Sequence, residues 1–200
     1  MQPLKNITIL WDFDGTLFDT YPMYTALFQK VIKEEVRDEE VYQQLKVSFT
    51  HAANYFHLSE ADVAKVRQLE SEWPTSQVAP FPYLETVLKN VGKNVIMTHK
   101  ARQETERILG EHGWLRYFTE IVSGDDGFPR KPDPAAYEYL HKKHTIDLVV
   151  GDRLLDIIPG KKIGAQTCLF QNNEQGADFY LDSYHNFYDK VGKHFSTLTR

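Results

Sequence analysis

Five short apolar runs, most of them rich in β-branched residues, limit the folds that this 200-residue chain can adopt. The runs are residues 7–11, 95–97, 121–122, 148–150 and 167–170. Helical spacing and helix-ending residues predict helices between the later runs, at residues 82–91 (closed by Gly92), 101–112 and 134–143. Short apolar strands that alternate with helices are typical of a parallel sheet covered by helices on both faces. We therefore predict an α/β fold built around a parallel sheet.

The stretch from residue 20 to residue 78 carries helical spacing and no strand signal. Apolar side chains recur there every three or four residues, as at Tyr24 and Phe28. Ser59 followed by Asp62 is a capping-box pattern that predicts the start of another helix. We predict a small helical bundle inserted after the first strand, with its aromatic residues in the bundle's own core. The predicted division is a core at 1–18 and 79–200 and an insertion at 19–78.

Charge and cysteine content narrow the classes of function. The formal net charge of −5, from 23 basic and 28 acidic side chains, argues against nucleic acid as the main partner, because a phosphate backbone favours a basic surface. No apolar stretch approaches the roughly 18 residues of a membrane span, and the amino-terminal residues do not resemble a secretion signal. We therefore expect a cytoplasmic protein that binds no membrane. Cys168 is the single cysteine, which excludes an internal disulfide, and we interpret it as a buried core residue.

Polar side chains follow four of the predicted strands. They are Asp12 and Asp14 after the first, Thr98 and His99 after the second, Lys131 after the third, and Asp152 and Asp156 after the fourth. Because the carboxyl ends of parallel strands meet at one edge of a sheet, we expect these side chains to converge. Several carboxylates without a nearby cysteine suit a hard divalent ion, above all Mg²⁺. Lys131 and the hydroxyl of Thr98 are then available to hold phosphate oxygens, and one carboxylate is available as a nucleophile.

The same clusters resemble the four motifs of the haloacid dehalogenase superfamily. The segment Asp12-Phe13-Asp14-Gly15-Thr16 is similar to the first motif. Thr98 resembles the second motif and Lys131-Pro132 the third. Gly151-Asp152, together with Asp156, resembles the fourth. This resemblance extends over nearly the whole chain. It implies a Rossmann-like core with a helical cap between the first and second motifs, in agreement with the predicted insertion.

The resemblance also implies a role for each acidic residue. Asp12 is expected to be the nucleophile, and Asp14 the general acid and base. Mg²⁺ is expected to be bound by Asp12, by the backbone carbonyl of Asp14 and by Asp152, with Asp156 supporting the ion directly or through water. The cofactor expected from the resemblance is therefore Mg²⁺, which agrees with the count of carboxylates.

The residues expected to bind the substrate include one departure from the family pattern. The resemblance implies that Thr98 and Lys131 orient the phosphoryl group, and we place His99 with them as a substrate-binding residue. The second motif usually has Asn where this chain has His99. A neutral His can replace Asn as a hydrogen-bond donor, and its protonation near neutral pH would change the pH profile.

Two further residues carry expectations of their own. Pro159 follows Asp156 closely, so the helix there is expected to start late or to kink. His51 lies where two helices of the insertion are expected to meet, which makes it a candidate for facing the substrate.

The acidic residue at position 14 indicates which of the superfamily's reactions to expect from this chain. Dehalogenases and phosphonate hydrolases lack a carboxylate there, whereas a phosphate ester leaves as an alkoxide and benefits from an acid. We therefore predict a Mg²⁺-dependent phosphatase acting on a small phosphorylated metabolite through an aspartyl-phosphate intermediate, similar to the phosphoglycolate phosphatase branch. The alternatives are a phosphosugar mutase of the β-phosphoglucomutase type, a phospho-accepting receiver domain and a non-catalytic binding relative. A monomer and a homodimer are both compatible with the sequence.

Overall fold

The computed structural model describes residues 4–196 and contains a six-stranded parallel sheet. In chain order its strands are β1 (Leu4–Trp11), β2 (Val91–Met97), β3 (Phe118–Val122), β4 (Leu148–Gly151), β5 (Gln166–Phe170) and β6 (Phe179–Leu181). Within the sheet the order is β3-β2-β1-β4-β5-β6. All five predicted apolar runs lie within strands. The predicted α/β class with a Rossmann-like parallel sheet is confirmed.

Helices connect and flank these strands. In chain order they are α1 (Tyr21–Gln29), α2 (Asp38–Val47), α3 (Phe49–Tyr55), α4 (Glu60–Glu72), α5 (Leu84–Asn90), α6 (Arg102–Glu111), α7 (Ala135–His144), α8 (Leu154–Lys162) and α9 (Lys193–Ser196). The chain divides into two compact units. One is Asp19–Ala79, and the other comprises the described residues up to Phe18 and from Pro80 onward. Among residues 4–196, no helix has the length and apolar character needed to cross a bilayer.

The unit Asp19–Ala79 consists of α1 to α4 and their connections. Ser59 caps α4 as its sequence predicts, because its hydroxyl accepts a bond from the Asp62 amide and the Asp62 carboxylate accepts one from the Ser59 amide. Phe28 is buried and meets Phe49 edge to face, with ring centres 5.2 Å apart. Tyr24 is buried as well and donates its hydroxyl hydrogen bond to the buried carboxylate of Glu70. Aromatic residues at helical spacing therefore form the interior of this unit.

Both faces of the sheet are packed. Leu10 on β1 is flanked in the sheet by Val95 on β2 and Val149 on β4, and these three buried side chains pack with Tyr137 of α7. Neighbouring residues in a strand point to opposite faces. Trp11 accordingly faces the other side of the sheet, where aromatic side chains of the carboxyl-terminal segment, Tyr184 and Phe187, cover it.

The strand order places a crevice at the carboxyl end of β1. This first strand lies between β2 on one side and β4 on the other, so the direction of winding reverses there. Ligands of open parallel sheets bind at such a switch point, outside the carboxyl ends of the strands. The backbone amide of Asp12 donates a 2.9 Å hydrogen bond to the carbonyl of Val150, which extends the pairing of β1 with β4 as far as the first polar residue.

Gly92 does not close a helix, which corrects one expectation. α5 ends at Asn90, and Gly92 is the second residue of β2. A Cβ atom at Gly92 would lie 2.2 Å from the carbonyl oxygen of Lys5 in the neighbouring strand β1. Glycine is therefore needed here for the close approach of two strands.

The structure also differs from the sequence-based predictions at three places in the carboxyl-terminal part of the chain. α8 begins at Leu154 and continues through Pro159, so the expected late start is wrong. Pro159 lies in the second turn, where its absent N–H removes one helical hydrogen bond. β6 has no counterpart among the predicted strands. The sequence predicts a covering helix and a loose tail from Ser183 to Arg200. The structure instead has a series of short 3₁₀, π and α turns as far as Ser196, and residues 197–200 lie outside the described residues.

Candidate active site

The first motif forms a tight turn that holds the Asp12 carboxylate at the end of β1. Gly15 has a φ of +76°, a left-handed conformation that glycine adopts without steric cost. The turn is closed by a 2.8 Å hydrogen bond from the Gly15 amide to the carbonyl of Phe18. Phe13 and Phe18 are fully buried and stack with ring centres 4.9 Å apart. These two buried phenylalanines thus anchor the turn and leave Asp12 at the crevice.

Lys131 links Asp12 to Asp156 within this buried site. Its ammonium nitrogen Nζ lies 2.6 Å from Asp12 Oδ1 and 2.7 Å from Asp156 Oδ1. All three side chains are almost completely inaccessible to solvent. Residues from the segments that follow β1, β3 and β4 therefore converge, as the strand-end argument expects.

Gly151 makes the position of Asp156 possible. Asp156 lies in the first turn of α8, and its Oδ2 accepts a 3.2 Å hydrogen bond from the Arg153 amide. A Cβ atom at Gly151 would lie 2.3 Å from the Asp156 Cβ and 2.6 Å from its Oδ2. Any larger residue at the end of β4 would push this carboxylate away from Lys131.

Burial and mutual repulsion set the ionisation of the two carboxyl groups. Burial, together with the nearby charge of Asp156, raises the pKa of Asp12 to about 7 against the attraction of Lys131. Burial opposes ionisation of Asp156 too, but Lys131 and Arg153 hold the pKa of Asp156 below its ordinary value. The two carboxylates raise the pKa of Lys131 despite its burial. Lys131 is therefore a permanent cation between them.

Three carboxylates at this point form a set that suits a metal ion. One oxygen from each of Asp12, Asp152 and Asp156 lies within 4.8 Å of the others, and all three side chains are buried. Lys131 and Arg153 supply two positive charges against these three carboxylates. The donors are all hard oxygens, which is the ligand chemistry of Mg²⁺. The residues present therefore fit the divalent cation expected from the sequence.

Asp14 occupies a different environment from the predicted metal ligands beside it. Its Oδ1 lies 3.2 Å from Nζ of Lys100, and the Lys100 side chain is fully buried. The cluster of three carboxylates contains Asp156 and not Asp14. In the predicted ligand set, Asp14 contributes its backbone carbonyl and not its carboxylate. The assignment of metal ligands and of catalytic roles stays a prediction.

Sequence reasoning placed Lys100 in the polar cluster after the second strand but gave it no role in the site. It is the third residue of Thr98-His99-Lys100, directly after β2, so its position at a strand end was an available signal. A buried lysine is uncommon unless an opposite charge accompanies it. Here that charge is the carboxylate of Asp14.

Thr98 lies at the same edge of the sheet as Asp12. Asp12 and Thr98 each directly follow a strand, and because Trp11 of β1 pairs with Ile96 of β2, Thr98 lies one residue beyond the position opposite Asp12. The Thr98 hydroxyl accepts a 3.1 Å hydrogen bond from the Lys100 amide. A hydroxyl that accepts such a bond still carries a proton that it can donate to a phosphate oxygen.

His99 is oriented toward the loop that carries Lys131. Its ring nitrogen Nε2 accepts a 2.9 Å hydrogen bond from the Lys131 backbone amide. Burial, together with the charges of Lys131, Arg130 and Arg153, lowers the pKa of His99 to about 3. The imidazole is therefore neutral throughout the physiological range, which corrects the expectation that it titrates near neutrality. Its predicted contact with substrate stays a prediction.

Two buried tyrosines adjoin the site, and the sequence did not single them out. The hydroxyl of Tyr184 donates a 2.9 Å hydrogen bond to the carbonyl of Thr16, which ties the carboxyl-terminal segment to the first motif. Tyr137 of α7 packs beneath the sheet near Lys131. Burial raises the pKa of both tyrosines, so both stay protonated.

His51 lies in α3 of the unit Asp19–Ala79. Its Nε2 is 2.8 Å from Oε1 of Gln44, and its ring stacks on Tyr55 with centres 6.3 Å apart. Its side chain is exposed. The idea that His51 faces a substrate stays a hypothesis.

Several known proteins are similar to this chain over most of its length. A pyrophosphatase PpaX from Oceanobacillus iheyensis is 27% identical over 197 residues, covering 90% of each chain. A phosphoglycolate phosphatase from Vibrio parahaemolyticus is 27% identical over 184 residues, covering 78% of this chain and 79% of that one. A crystal structure of a hydrolase from Streptococcus pneumoniae TIGR4 is 30% identical, with a TM-score of 0.60 over 84% of this chain and 92% of that chain.

A family model provides the assignment. The model described as haloacid dehalogenase-like hydrolase matches residues 9–170, which include all four polar clusters. This match confirms the resemblance stated from the motifs, and with it the prediction that the chain is an enzyme. The chain belongs to the haloacid dehalogenase-like hydrolase family.

Proposed function

We propose that this chain, a phosphatase of the haloacid dehalogenase-like hydrolase family, hydrolyses a small phosphorylated metabolite through an aspartyl-phosphate on Asp12. The observation that carries the proposal is the buried arrangement of Asp12, Lys131 and Asp156 at the switch point of the sheet. A buried carboxylate next to a permanent cation is positioned to attack a group that arrives with negative charge.

The first chemical step transfers the phosphoryl group to the enzyme. A carboxylate oxygen of Asp12 attacks phosphorus, and the bond from phosphorus to the leaving oxygen breaks. Asp14 gives its proton to that oxygen, so the product departs as an alcohol. Lys131 and the hydroxyl of Thr98 hold the phosphoryl oxygens through hydrogen bonds during the transfer.

The second step returns the enzyme to its starting state. Asp14, now a carboxylate, accepts a proton from a water molecule whose oxygen attacks the same phosphorus. The bond from phosphorus to Asp12 breaks and releases inorganic phosphate. Lys100, 3.2 Å from Asp14, holds this carboxylate in place between its two proton transfers.

Mg²⁺ completes the proposed site. We assign it to Asp12, Asp152 and the backbone carbonyl of Asp14, with Asp156 as a direct or water-mediated ligand. When bound, it supplies positive charge that offsets the charge of the phosphoryl oxygens. The carboxylate cluster of Asp12, Asp152 and Asp156 supports this assignment.

The names of the relatives narrow the choice of substrate to test. One is named a phosphoglycolate phosphatase and another a pyrophosphatase. The substrates in both names, phosphoglycolate and pyrophosphate, are small anionic phosphate compounds. We therefore propose a substrate of this kind. We also propose that residues 19–78 form a helical cap domain and residues 1–18 and 79–200 the catalytic core. The proposed protein is a cytoplasmic monomer or homodimer that needs no nucleic acid.

Release of inorganic phosphate tests the proposal. An aryl phosphate, phosphoglycolate, pyrophosphate and a phosphosugar are each incubated with the purified chain, with Mg²⁺ and with excess chelator, and Asp12→Asn serves as the inactive control. Mg²⁺-dependent release that is lost in Asp12→Asn is expected. Conversion of a phosphosugar to its isomer without net phosphate release would instead show a mutase. Absence of both reactions would support a non-catalytic relative.

A further inference from the structure

The loop that carries Lys131 takes its path from individual hydrogen bonds. Residues 123–134, between β3 and α7, form turns and bends. The amide of Gly124 donates a 2.9 Å bond to the carbonyl of Lys100, and the amide of Lys131 donates a 2.9 Å bond to Nε2 of His99. The segment after β2 therefore supports this loop at its start and again at its functional residue.

We propose that His99 is a positioning residue, whose Nε2 accepts the Lys131 amide hydrogen bond and so sets where the Lys131 ammonium meets Asp12 and Asp156. This inference rests on the proposed function, because it gives His99 a part in catalysis through Lys131. It differs from the substrate-binding role predicted from the sequence, in which the side chain would donate to the phosphoryl group.

The direction of the hydrogen bond follows from its chemistry. A backbone amide can only donate, so Nε2 carries no proton and the single proton of the neutral ring lies on Nδ1. The low pKa of His99 supports this assignment, because a protonated ring could not accept. His99 therefore remains an acceptor at any pH at which the enzyme would work.

The length of the side chain makes the proposal specific. Nε2 of histidine is as far from the backbone as the amide end of glutamine. The amide end of asparagine reaches only as far as Nδ1. A glutamine at position 99 can therefore accept from the Lys131 amide, whereas the asparagine usual in the family motif cannot reach it from the same backbone position.

The backbone at position 99 also packs closely against the same loop. A Cβ atom at Gly124 would lie 2.5 Å from the carbonyl oxygen of His99. This close approach leaves the His99 main chain little room to move toward Lys131 if the side chain is shortened. A shorter acceptor would leave the Lys131 amide without this bond.

Three variants compared by steady-state kinetics test the proposal. His99→Gln is expected to keep kcat within about threefold of the parent, because its acceptor reaches the Lys131 amide. His99→Asn and His99→Ala are expected to lower kcat by about 10- to 100-fold, with a smaller change in KM, because misplacement of a catalytic group by an ångström costs about that much. Higher activity in His99→Asn than in His99→Gln, or a loss seen mainly in KM, would overturn the proposal and support direct substrate contact.

Nitrogen NMR of histidine-labelled protein gives a readout that does not depend on activity. The ring-nitrogen signals of His99 are assigned by their absence from the spectrum of His99→Gln. The ring is expected to be neutral, with the proton on Nδ1 and none on Nε2. A proton found on Nε2 would overturn the proposal outright, since that nitrogen could not accept from Lys131.

His141 supplies a matched control. Its Nδ1 accepts a 3.1 Å hydrogen bond from the Ile146 amide, the same kind of contact, at the opposite end of the sheet from the site. His141→Ala is expected to lower the thermal midpoint and leave kcat unchanged. If it lowers kcat as much as His99→Ala does at equal loss of stability, the positioning role is wrong. A parent enzyme without phosphatase activity would instead overturn the proposed function, and the positioning role with it.

Discussion

Asp12 and Asp14 are separated by one residue but lie in different surroundings, and this difference supports different roles. Asp12 is buried beside Lys131 and two other carboxylates, whereas Asp14 is partly exposed beside Lys100. Pairs of acidic groups in unlike environments are typical of sites where one group attacks and the other transfers protons. The two residues can therefore be separated by experiment.

Replacement of Asp12 by asparagine tests the nucleophile. An amide of the same size retains a hydrogen-bond acceptor for Lys131 but cannot form the acyl-phosphate. Turnover is expected to fall by more than about 10⁴-fold. Phosphate release measured with Mg²⁺ checks this, and a thermal midpoint close to that of the parent shows that the fold is kept. Near-parental activity would assign the attack to another group.

Replacement of Asp14 by asparagine tests the acid and base through the leaving group. An aryl phosphate departs without a proton, but an alkyl phosphate does not, so the first step is expected to slow by about 10²–10⁴-fold for the alkyl substrate and much less for the aryl one. With the aryl substrate, phosphorylated Asp12 is expected to accumulate because the second step also needs Asp14. Intact mass after an acid quench detects it. Equal losses for both substrates, with no trapped intermediate, would limit Asp14 to a structural role.

At the residue scale, sequence position predicted residues in the segments that follow the strands. Asp12, Lys131 and Asp156 are brought together in this way, and their spread over about 140 positions did not hide them. Tyr184 could not be found similarly, since its contact with Thr16 joins residues 168 positions apart. Such a bond depends on how the carboxyl-terminal segment packs, and no local pattern encodes it.

At the element scale, a charged cluster connects the edge strand β3 to α7. The Glu120 carboxylate of β3 accepts hydrogen bonds from Tyr139 and Lys143, each at 2.8 Å, and pairs with His144 at 2.6 Å. Partial burial opposes ionisation of this group, but its bonds with Lys143, His144 and Tyr139 lower the pKa of Glu120 to about 2. The ionised carboxylate therefore fastens the edge of the sheet to the helix.

The pH dependence of stability tests this connection. A carboxyl group whose pKa is lowered by folding stabilises the native state above its ordinary pKa of 4.5, and the contribution disappears as the pH falls toward 2. Glu120→Gln is expected to cost about 0.5–1 kcal/mol at pH 7, because the group is partly exposed, and less at pH 3. Urea unfolding at both pH values measures this. The exposed Glu138 of the same helix provides the control, and an equal cost for Glu138→Gln would contradict the assignment.

The buried strands were predicted better than the short edge strand β6 and the end of the helix before β2. Buried parallel strands are almost continuously apolar, so β1, β4 and β5 are visible as runs in the sequence. β6 has three residues at the edge of the sheet, with two of them half-buried, which is too short for a periodic signal. Gly92 resembled a helix end because it follows a segment with helical spacing. The reason that a glycine is needed there, the close approach of Lys5, lies in a different strand and is not visible in the local sequence.

At the scale of the whole molecule, the strand order explains why distant motifs form one site. β1 is central, and its neighbours β2 and β4 are formed by segments about 80 and 140 residues later in the chain. Folding of the sheet therefore creates the carboxylate cluster, which does not exist in the unfolded chain. A cation bound by that cluster must stabilise the folded state as a whole.

Thermal unfolding with and without Mg²⁺ tests this consequence. A ligand present at 100 times its Kd stabilises the native state by about 2.7 kcal/mol, so the midpoint of a chain this size is expected to rise by about 5–10 °C. Asp152→Asn is expected to lose most of this rise because it removes one of the buried carboxylates, whereas Asp182→Asn, at an exposed residue paired with Lys190, is expected to keep it. The effect should saturate with Mg²⁺ concentration. A rise that is equal in both variants would show that the ion acts on general surface charge, and a parent chain without any rise would remove Mg²⁺ from the site.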